Sequence, residues 1–192
     1  MGREFELKYR ADEEKIAAIG EKYGDFTAIS METAYYDTPD RALGQLRWTL
    51  RRRYENGVSV CTVKTPTDGL GRGEWETECE DIQRAVLALC KLGGPVELEA
   101  LTARGIAQVC GAKFTRLAKV LEVPGCTVEL ALDRGVLLGG GKEMPFWEIE
   151  VELKSGGEDA AVFFAQTLAA EFGLVPETAS KYKRALALAE ER

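Results

Sequence analysis

The chain has 192 residues, of which 45% are hydrophobic and 30% charged, and 25 Lys and Arg stand against 32 Asp and Glu for a net charge of −7. This is the composition of a globular chain, at a length that fits one large domain or two small ones. The acidic balance argues against a general nucleic-acid binder, and the lack of histidine excludes Ser-His-Asp and Cys-His catalysis, histidine-based zinc sites and imidazole pH switches.

Residues 3–10 alternate, with Glu4, Glu6 and Lys8 on one side and Phe5, Leu7 and Tyr9 on the other, which predicts a strand. Asp12 caps a helix through Lys22, stopped at Gly24. A strand is expected over 26–37, then a turn at Asp37-Thr38-Pro39-Asp40. Strands over 46–55 and 58–65 flank a hairpin signal at Glu55-Asn56-Gly57, and a Pro/Gly/Asp loop at 66–71 leads to a strand over 72–80. Asp81 starts a helix with Ile82, Ala85, Val86 and Leu89 on one face and Gly93-Gly94 at its end, followed by a short helix over 97–104. A hairpin of 113–123 and 126–134 turns at Pro124-Gly125, and Gly139-Gly140-Gly141 reads as a loop before a strand over 146–154. Helices over 158–172 and 178–190 follow. The pattern predicts a single α+β domain over 1–192, built on an antiparallel sheet.

Cys61, Cys79, Cys90, Cys110 and Cys126 are odd in number and form no CxxC pair, so neither a disulfide framework nor a zinc site is expected. No apolar run approaches 18 residues and no signal-peptide core is visible, so the expected setting is cytoplasmic, without a membrane.

The polar strand faces are unusually pure in charge. Arg47, Arg51 and Arg53 share one parity, as do Thr62 and Lys64, then Arg72, Glu74, Glu76 and Glu78, then Glu129 and Asp133, then Glu148, Glu150 and Glu152. Alternate residues on a strand lie about 7 Å apart, so three carboxylates in a row repel. Taken alone, such a face reads as solvated surface. Paired with arginine- and lysine-rich strands it reads differently: carboxylates suit hard cations, and guanidinium and ammonium groups suit phosphate oxygens. A sheet that turned both sets inward would enclose a metal-bound polyphosphate. Arg52 and Arg134 fall on the outward parity, and Trp48, Trp75 and Trp147 on the apolar one, where they read as core. Arg47, Glu78 and Glu80 lie near strand ends, and Lys119 breaks the parity of Arg116; none is given a role. The Asp37-Thr38-Pro39-Asp40 turn reads as structural. Gly139-Gly140-Gly141-Lys142 is not a P-loop, and Gly69, Gly71 and Gly73 do not make GxGxxG.

The ordered set Glu4-Phe5-Glu6-Leu7-Lys8, Tyr35 to Asp40, Leu50-Arg51-Arg52-Arg53, Thr62-Val63-Lys64, Arg72 to Glu76, Glu129 to Gly135, Glu148 to Gly156 and Ser180-Lys181-Tyr182 resembles the CYTH, or triphosphate tunnel metalloenzyme, superfamily. It is most similar to the bacterial inorganic triphosphatase branch. The resemblance implies an eight-stranded antiparallel barrel, open at both ends, with helices outside. It implies Mg²⁺ or Mn²⁺ held by Glu4 and Glu6 with Glu148, Glu150 and Glu152. Phosphate oxygens would meet Lys8, Arg51, Arg53, Lys64, Arg72, Arg116, Lys181 and Arg184, while Glu74, Glu76, Glu129 and Asp133 would position these cations or a second metal. Glu4, Glu6, Lys8 and Glu150 would be catalytic. The implied activity is hydrolysis of inorganic triphosphate to phosphate and diphosphate. Adenylate cyclase, thiamine or nucleoside triphosphatase, and a non-enzymatic polyphosphate-binding module are the alternatives. The expected partner is a small molecule carrying a triphosphate, not a nucleic acid; the oligomeric state is left open.

Overall fold

The computed structural model describes residues 2–67 and 72–191, with the backbone alone at 2–4. The expected loop at 66–71, with Gly69 and Gly71, falls largely outside the described residues.

In chain order the elements are β1 (Gly2–Glu4), β2 (Glu6–Arg10), α1 (Glu13–Tyr23), β3 (Thr27–Asp37), α2 (Ala42–Gln45), β4 (Thr49–Glu55), β5 (Val58–Pro66) and β6 (Arg72–Glu78). Then come α3 (Ile82–Lys91), α4 (Glu97–Thr102), β7 (Ala107–Val123), β8 (Cys126–Gly139), β9 (Lys142–Gly156), α5 (Glu158–Phe172), β10 (Val175–Pro176) and α6 (Lys181–Glu190). The described segments form one antiparallel sheet in the order β1-β6-β5-β4-β3-β7-β8-β9-β2-β10.

The expected count of eight strands is corrected to ten segments. The difference lies at Phe5, which breaks the N-terminal strand: residues 2–4 pair with β6, whereas 6–10 pair with β9. One stretch thus touches both flanks of the sheet. The flanks meet at an interrupted strand, not through a continuous ladder. Phe5 is buried on the apolar side, and its carbonyl accepts from the amide of Leu153 at 2.9 Å.

The helix starts follow from their caps. Asp12 accepts from the amide of Lys15 at 2.9 Å, and Asp81 from those of Gln83 and Arg84 at 2.8 and 3.1 Å. Lys119, given no role from its parity, donates to the carbonyls of Tyr23 and Gly24 at 2.7 and 2.9 Å and so closes the end of α1. Helices α1 and α5 cover one outer face, where Ile16, Ile19, Ala165 and Leu168 pack on Leu130, Leu132, Ile149 and Val151. Helices α3 and α4 cover another through Ala85, Leu89 and Leu98 against Leu50, Cys61 and Val63. Trp48 and Trp75 pack at the edge of that second cluster and Trp147 at the edge of the first.

A third cluster lies on the inward parity. Met31, Tyr35, Cys110, Ala112, Phe114, Leu137 and Phe146 fill one end of the lumen and pack on Ala185 of α6. Gly139 admits the helix there, since a Cβ on it would stand 2.3 Å from the carbonyl oxygen of Ala185. Aromatic and aliphatic side chains thus line the end of the lumen under α6. Strands β7, β8 and β9 also run further than their sequence pattern, because Gly140-Gly141, both at positive φ, form a hairpin turn rather than a loose loop.

Candidate active site

The strand registers bring the charged positions together. Thr49 faces Lys64 and Lys64 faces Glu74, while Glu6 faces Glu152, Glu152 faces Glu129, and Lys8 faces Glu150. These side chains line a cavity of about 380 Å³. Strands β4, β5 and β6 contribute Arg51, Arg53, Lys64 and Arg72 together with Glu55, Glu74 and Glu76, and β2, β8 and β9 contribute Glu6, Glu129, Glu150 and Glu152 together with Lys8 and Lys154, so one side is richer in cations and the other in carboxylates. In the strand order β4 and β5 lie four places from β9 and β8, so the two walls face each other across a curled sheet.

Glu74 tethers two of the cations, at 3.3 Å from Lys64 Nζ and 3.6 Å from Arg51 Nη2. Arg72 donates to the carbonyl of Arg47 at 2.8 Å. Lys8 lies 3.1 Å from Glu6. Burial works against the Lys8 ammonium, but Glu6 and then Glu150 outweigh it and hold its pKa above the ordinary value. Arg53 is the exception to this pairing. Its Nε donates to Thr33 Oγ1 at 3.0 Å, and its nearest carboxylate, Glu55, is 3.6 Å away. Burial first, and then the charges of Arg51 and Arg116, pull its pKa down to about 10.

Behind the cavity lies a buried cluster of opposite charges. Ser180 caps α6, accepting from the amide of Lys183 at 3.2 Å, and this places Lys181 in the first turn, pointing back into the lumen. Its ammonium bonds Glu148 and lies 2.8 Å from both Glu150 and Asp133. Arg116 donates to Asp133 at 2.8 and 2.7 Å and to Glu150. Arg184 bonds Glu148 and reaches Glu177 at 3.8 Å. Burial opposes the charge of Lys181 and of Arg116, yet the carboxylates win and raise both. Burial pushes Glu148 up to about 7, whereas for Glu150 Lys181 and Arg116 overcome burial and drive it down.

The predicted residues therefore divide. Glu6, Lys8, Arg51, Arg53, Lys64, Arg72, Glu74, Glu76, Arg116, Glu129, Glu150, Glu152 and Lys181 line the cavity. Glu148 and Asp133 do not: both are 0% exposed and held by cations. Arg184 is likewise outside the lining, on the far side of Glu148. The side chain of Glu4 lies outside the described residues. The cavity wall adds Lys154, 3.0 Å from Glu152 and 3.6 Å from Glu129, which continues the parity of Glu148, Glu150 and Glu152 and was legible there. Glu55 extends Arg51 and Arg53 in the same way. Ile29, Met31 and Tyr35 also line it, uncharged positions of β3 that gave no signal.

Two groups of carboxylates compare as homes for a hard cation. Asp133, Glu148 and Glu150 bring oxygens within 4.8 Å of one another. Those oxygens already bind Lys181, Arg116 and Arg184, and Lys181, with a side chain 6% exposed, cannot withdraw into water. Glu6, Glu129 and Glu152 are adjacent by register, and the Lys154 ammonium between two of them is on a side chain 38% exposed. Hard oxygen donors suit Mg²⁺ or Mn²⁺; the first group has the closer spacing but is already paired with cations, and the second lies on the cavity wall. The Asp37-Thr38-Pro39-Asp40 turn is structural: Asp37 accepts from the amides of Thr38, Leu43 and Gly44 at 2.8, 3.1 and 3.2 Å. No helix among the described residues is long and apolar enough to cross a membrane.

Among known proteins, the chain is 29% identical over 193 aligned residues to an inorganic triphosphatase of Haemophilus influenzae, with 96% of the chain and 54% of that protein covered. The chain thus spans about half the length of this curated relative. A putative adenylate cyclase of Bacillus halodurans has a similar fold, with a TM-score of 0.67 at 22% identity over 96% of this chain and 98% of that one. A putative adenylyl cyclase of Hippeastrum, described as having a dominant triphosphatase activity, gives a TM-score of 0.67 at 16% identity, covering 100% and 98%. The CYTH domain model matches residues 2–186, nearly the whole of the sheet and helices described above, and the chain belongs to the CYTH domain family.

Proposed function

We propose that the charged cavity binds a linear triphosphate together with Mg²⁺ or Mn²⁺ and hydrolyses it, with inorganic triphosphate, cleaved to phosphate and diphosphate, as the preferred substrate. The observation that carries this reading is that Arg51, Arg53, Lys64 and Arg72 share one cavity with Glu6, Glu129 and Glu152, the cations concentrated on β4, β5 and β6 and these carboxylates on β2, β8 and β9. A pure anion site would be weakened by those carboxylates, and a pure metal site would be weakened by the cations. A metal-bound polyphosphate satisfies both. Arg51 Nε is buried without a hydrogen-bond partner, which a phosphate oxygen would supply.

Glu6, Glu129 and Glu152 would hold the divalent ion, with Lys154 displaced to solvent. Bound there, the ion would neutralise charge that builds on the phosphate oxygens. Lys8, Arg51, Arg53, Lys64 and Arg72 would fix the phosphates in line, so that a water attacks the terminal phosphorus, one P–O bond forms and the bridging P–O bond breaks. The clamp of Lys181, Arg116 and Arg184 on Asp133, Glu148 and Glu150 would hold the floor of the cavity. This reading moves the role of Glu148 and Glu150 from metal ligand to support. The resemblance to an inorganic triphosphatase of Haemophilus influenzae supports the reaction class.

The deciding measurement is phosphate release from triphosphate, ATP, thiamine triphosphate and long-chain polyphosphate, each with Mg²⁺ and Mn²⁺, with cyclic AMP assayed in the ATP reactions. A higher kcat/KM for ATP, or cyclic AMP as its main product, would replace this reading with a nucleotide enzyme.

A further inference from the structure

A second cavity, of about 750 Å³, lies between the β3–β4 connection and α6. It adjoins the charged cavity at Thr49, Arg72, Ser180 and Tyr182, which line both. Its charge is opposite to that of the whole chain. Arg41, Arg47, Arg72 and Lys183 line it against two carboxylates, Asp37 and Glu190. Asp37 has both oxygens accepting from backbone amides, of Thr38 in its own turn and of Leu43 and Gly44 in α2.

Arg41 and Arg47 share a further property. Both sit in the left-handed backbone region, with φ of 60° and 58°. Residues other than Gly, Asn and Asp seldom adopt it, and such strain collects at ligand clamps. Two arginines hold this conformation around one cavity, where Gly or Asn would sit with less strain. The Nη1 of Arg41 is also buried without a hydrogen-bond partner, an orphaned donor that an acceptor in the cavity would satisfy.

We propose that this cavity is a second anion subsite, which takes the continuing phosphates of a linear polyphosphate whose terminal triphosphate occupies the charged cavity. The proposal rests on the triphosphate reading of that cavity. Trp48 and Leu186 give the subsite an apolar side on which an organic substituent would rest. The excess of cations and the orphaned guanidinium donor favour phosphate oxygens over a neutral ring.

The test is calorimetric binding, in EDTA so that turnover does not intervene, of tripolyphosphate, long-chain polyphosphate and ATP. Wild type is compared with Arg41→Gln and Lys183→Gln, with thermal melts as the control for folding; Lys183 is on the first turn of α6 and serves if Arg41→Gln does not fold. Wild type should bind the long chain at least about tenfold more tightly than tripolyphosphate, and each variant should lose most of that margin while keeping its tripolyphosphate affinity within about twofold. Equal affinity for both chain lengths in wild type overturns the proposal, as does equal weakening of both in the variants. A variant that weakens ATP more than the long chain also overturns it and assigns the cavity to an organic group. Absence of triphosphate hydrolysis with the chain-length effect intact removes the proposed activity and leaves the subsite; hydrolysis without the chain-length effect does the reverse.

Discussion

Arg116 and Asp133 are direct partners in the β7–β8 ladder, and the guanidinium meets the carboxylate in parallel, Nε at 2.8 Å and Nη2 at 2.7 Å. Asp133 is fully buried and also lies 2.8 Å from Lys181, so a single carboxylate balances cations from a strand and from α6. Asp133→Asn keeps the shape and removes the charge. Two buried cations would then share Glu148 and Glu150 alone. Breaking a buried pair in this way costs about 3–5 kcal/mol, which at this chain length lowers Tm on the order of 10 °C. A melt within about 2 °C of wild type would show that Asp133 does not balance the cluster.

Glu6 and Glu148 have opposite expected phenotypes, although both were expected from the resemblance to bind metal. Glu6 lines the cavity with Lys8 as its basic partner, whereas Glu148 is enclosed by Lys181 and Arg184. Glu6→Gln should reduce kcat by more than about tenfold, equivalent to roughly 1.4 kcal/mol of barrier, with Tm unchanged. Glu148→Gln should lower Tm first and turnover as a consequence. Phosphate release and thermal melts on the two purified variants separate them. If Glu148→Gln melts like wild type and is inactive, Glu148 acts on the substrate side and the support role assigned to it fails.

What the sequence revealed and what it hid follow from the same alternation. Period two told which way Glu6, Arg51, Lys64 and Glu152 face, because charge marks one side of each strand. It said nothing of β3, whose inward Met31, Thr33 and Tyr35 carry no charge, nor of Phe114 and Phe146, which share the parity of Arg116 and Glu148 yet pack with the apolar cluster under α6. Nor could it sort the carboxylates. Whether Glu150 or Glu152 is neutralised depends on where the first turn of α6 delivers Lys181, a contact 31 residues apart in sequence. The break at Phe5 was hidden for a similar reason: Glu4 and Glu6 continue one alternation but pair with strands on opposite flanks.

Alkaline pH should destabilise the fold through two thiols. Burial pushes Cys61 and Cys110 from 9.0 up to about 12. Below about pH 9 both the folded and unfolded chains keep these protons, and the contribution is fully present. Between 9 and 12 the unfolded chain ionises and the folded one does not, so stability falls on the order of 1.4 kcal/mol per pH unit for each thiol. Urea melts from pH 8 to 10.5 on wild type and on the Cys61→Ala, Cys110→Ala double variant isolate this effect from other groups that titrate there. The double variant should start lower, from lost packing, and decline less steeply. Parallel declines would show that the thiols ionise alike in both states.

Arg53 should show a conflict between stability and ligand binding. It is buried at the cavity with Arg51 and Arg116 as like-charged neighbours, and burial first, then these charges, pull its pKa down to about 10, so its own surroundings suit its charge poorly. An anion in the cavity reverses that balance. Arg53→Met removes the charge and keeps most of the side-chain volume, leaving Thr33 to find another donor for the bond now made at 3.0 Å. The ligand-free variant should therefore melt at or above the wild-type temperature, an outcome few substitutions of a buried arginine would give. Triphosphate should bind it roughly ten- to a hundredfold more weakly, since a hydrogen bond to a charged group contributes about 1.5–3 kcal/mol. Added triphosphate should then raise the Tm of wild type more than that of the variant. The two measurements must move in opposite directions. If Arg53→Met lowers both the ligand-free Tm and the affinity, the guanidinium is part of the fold's own charge balance, and the cavity does not hold it in wait for a phosphate.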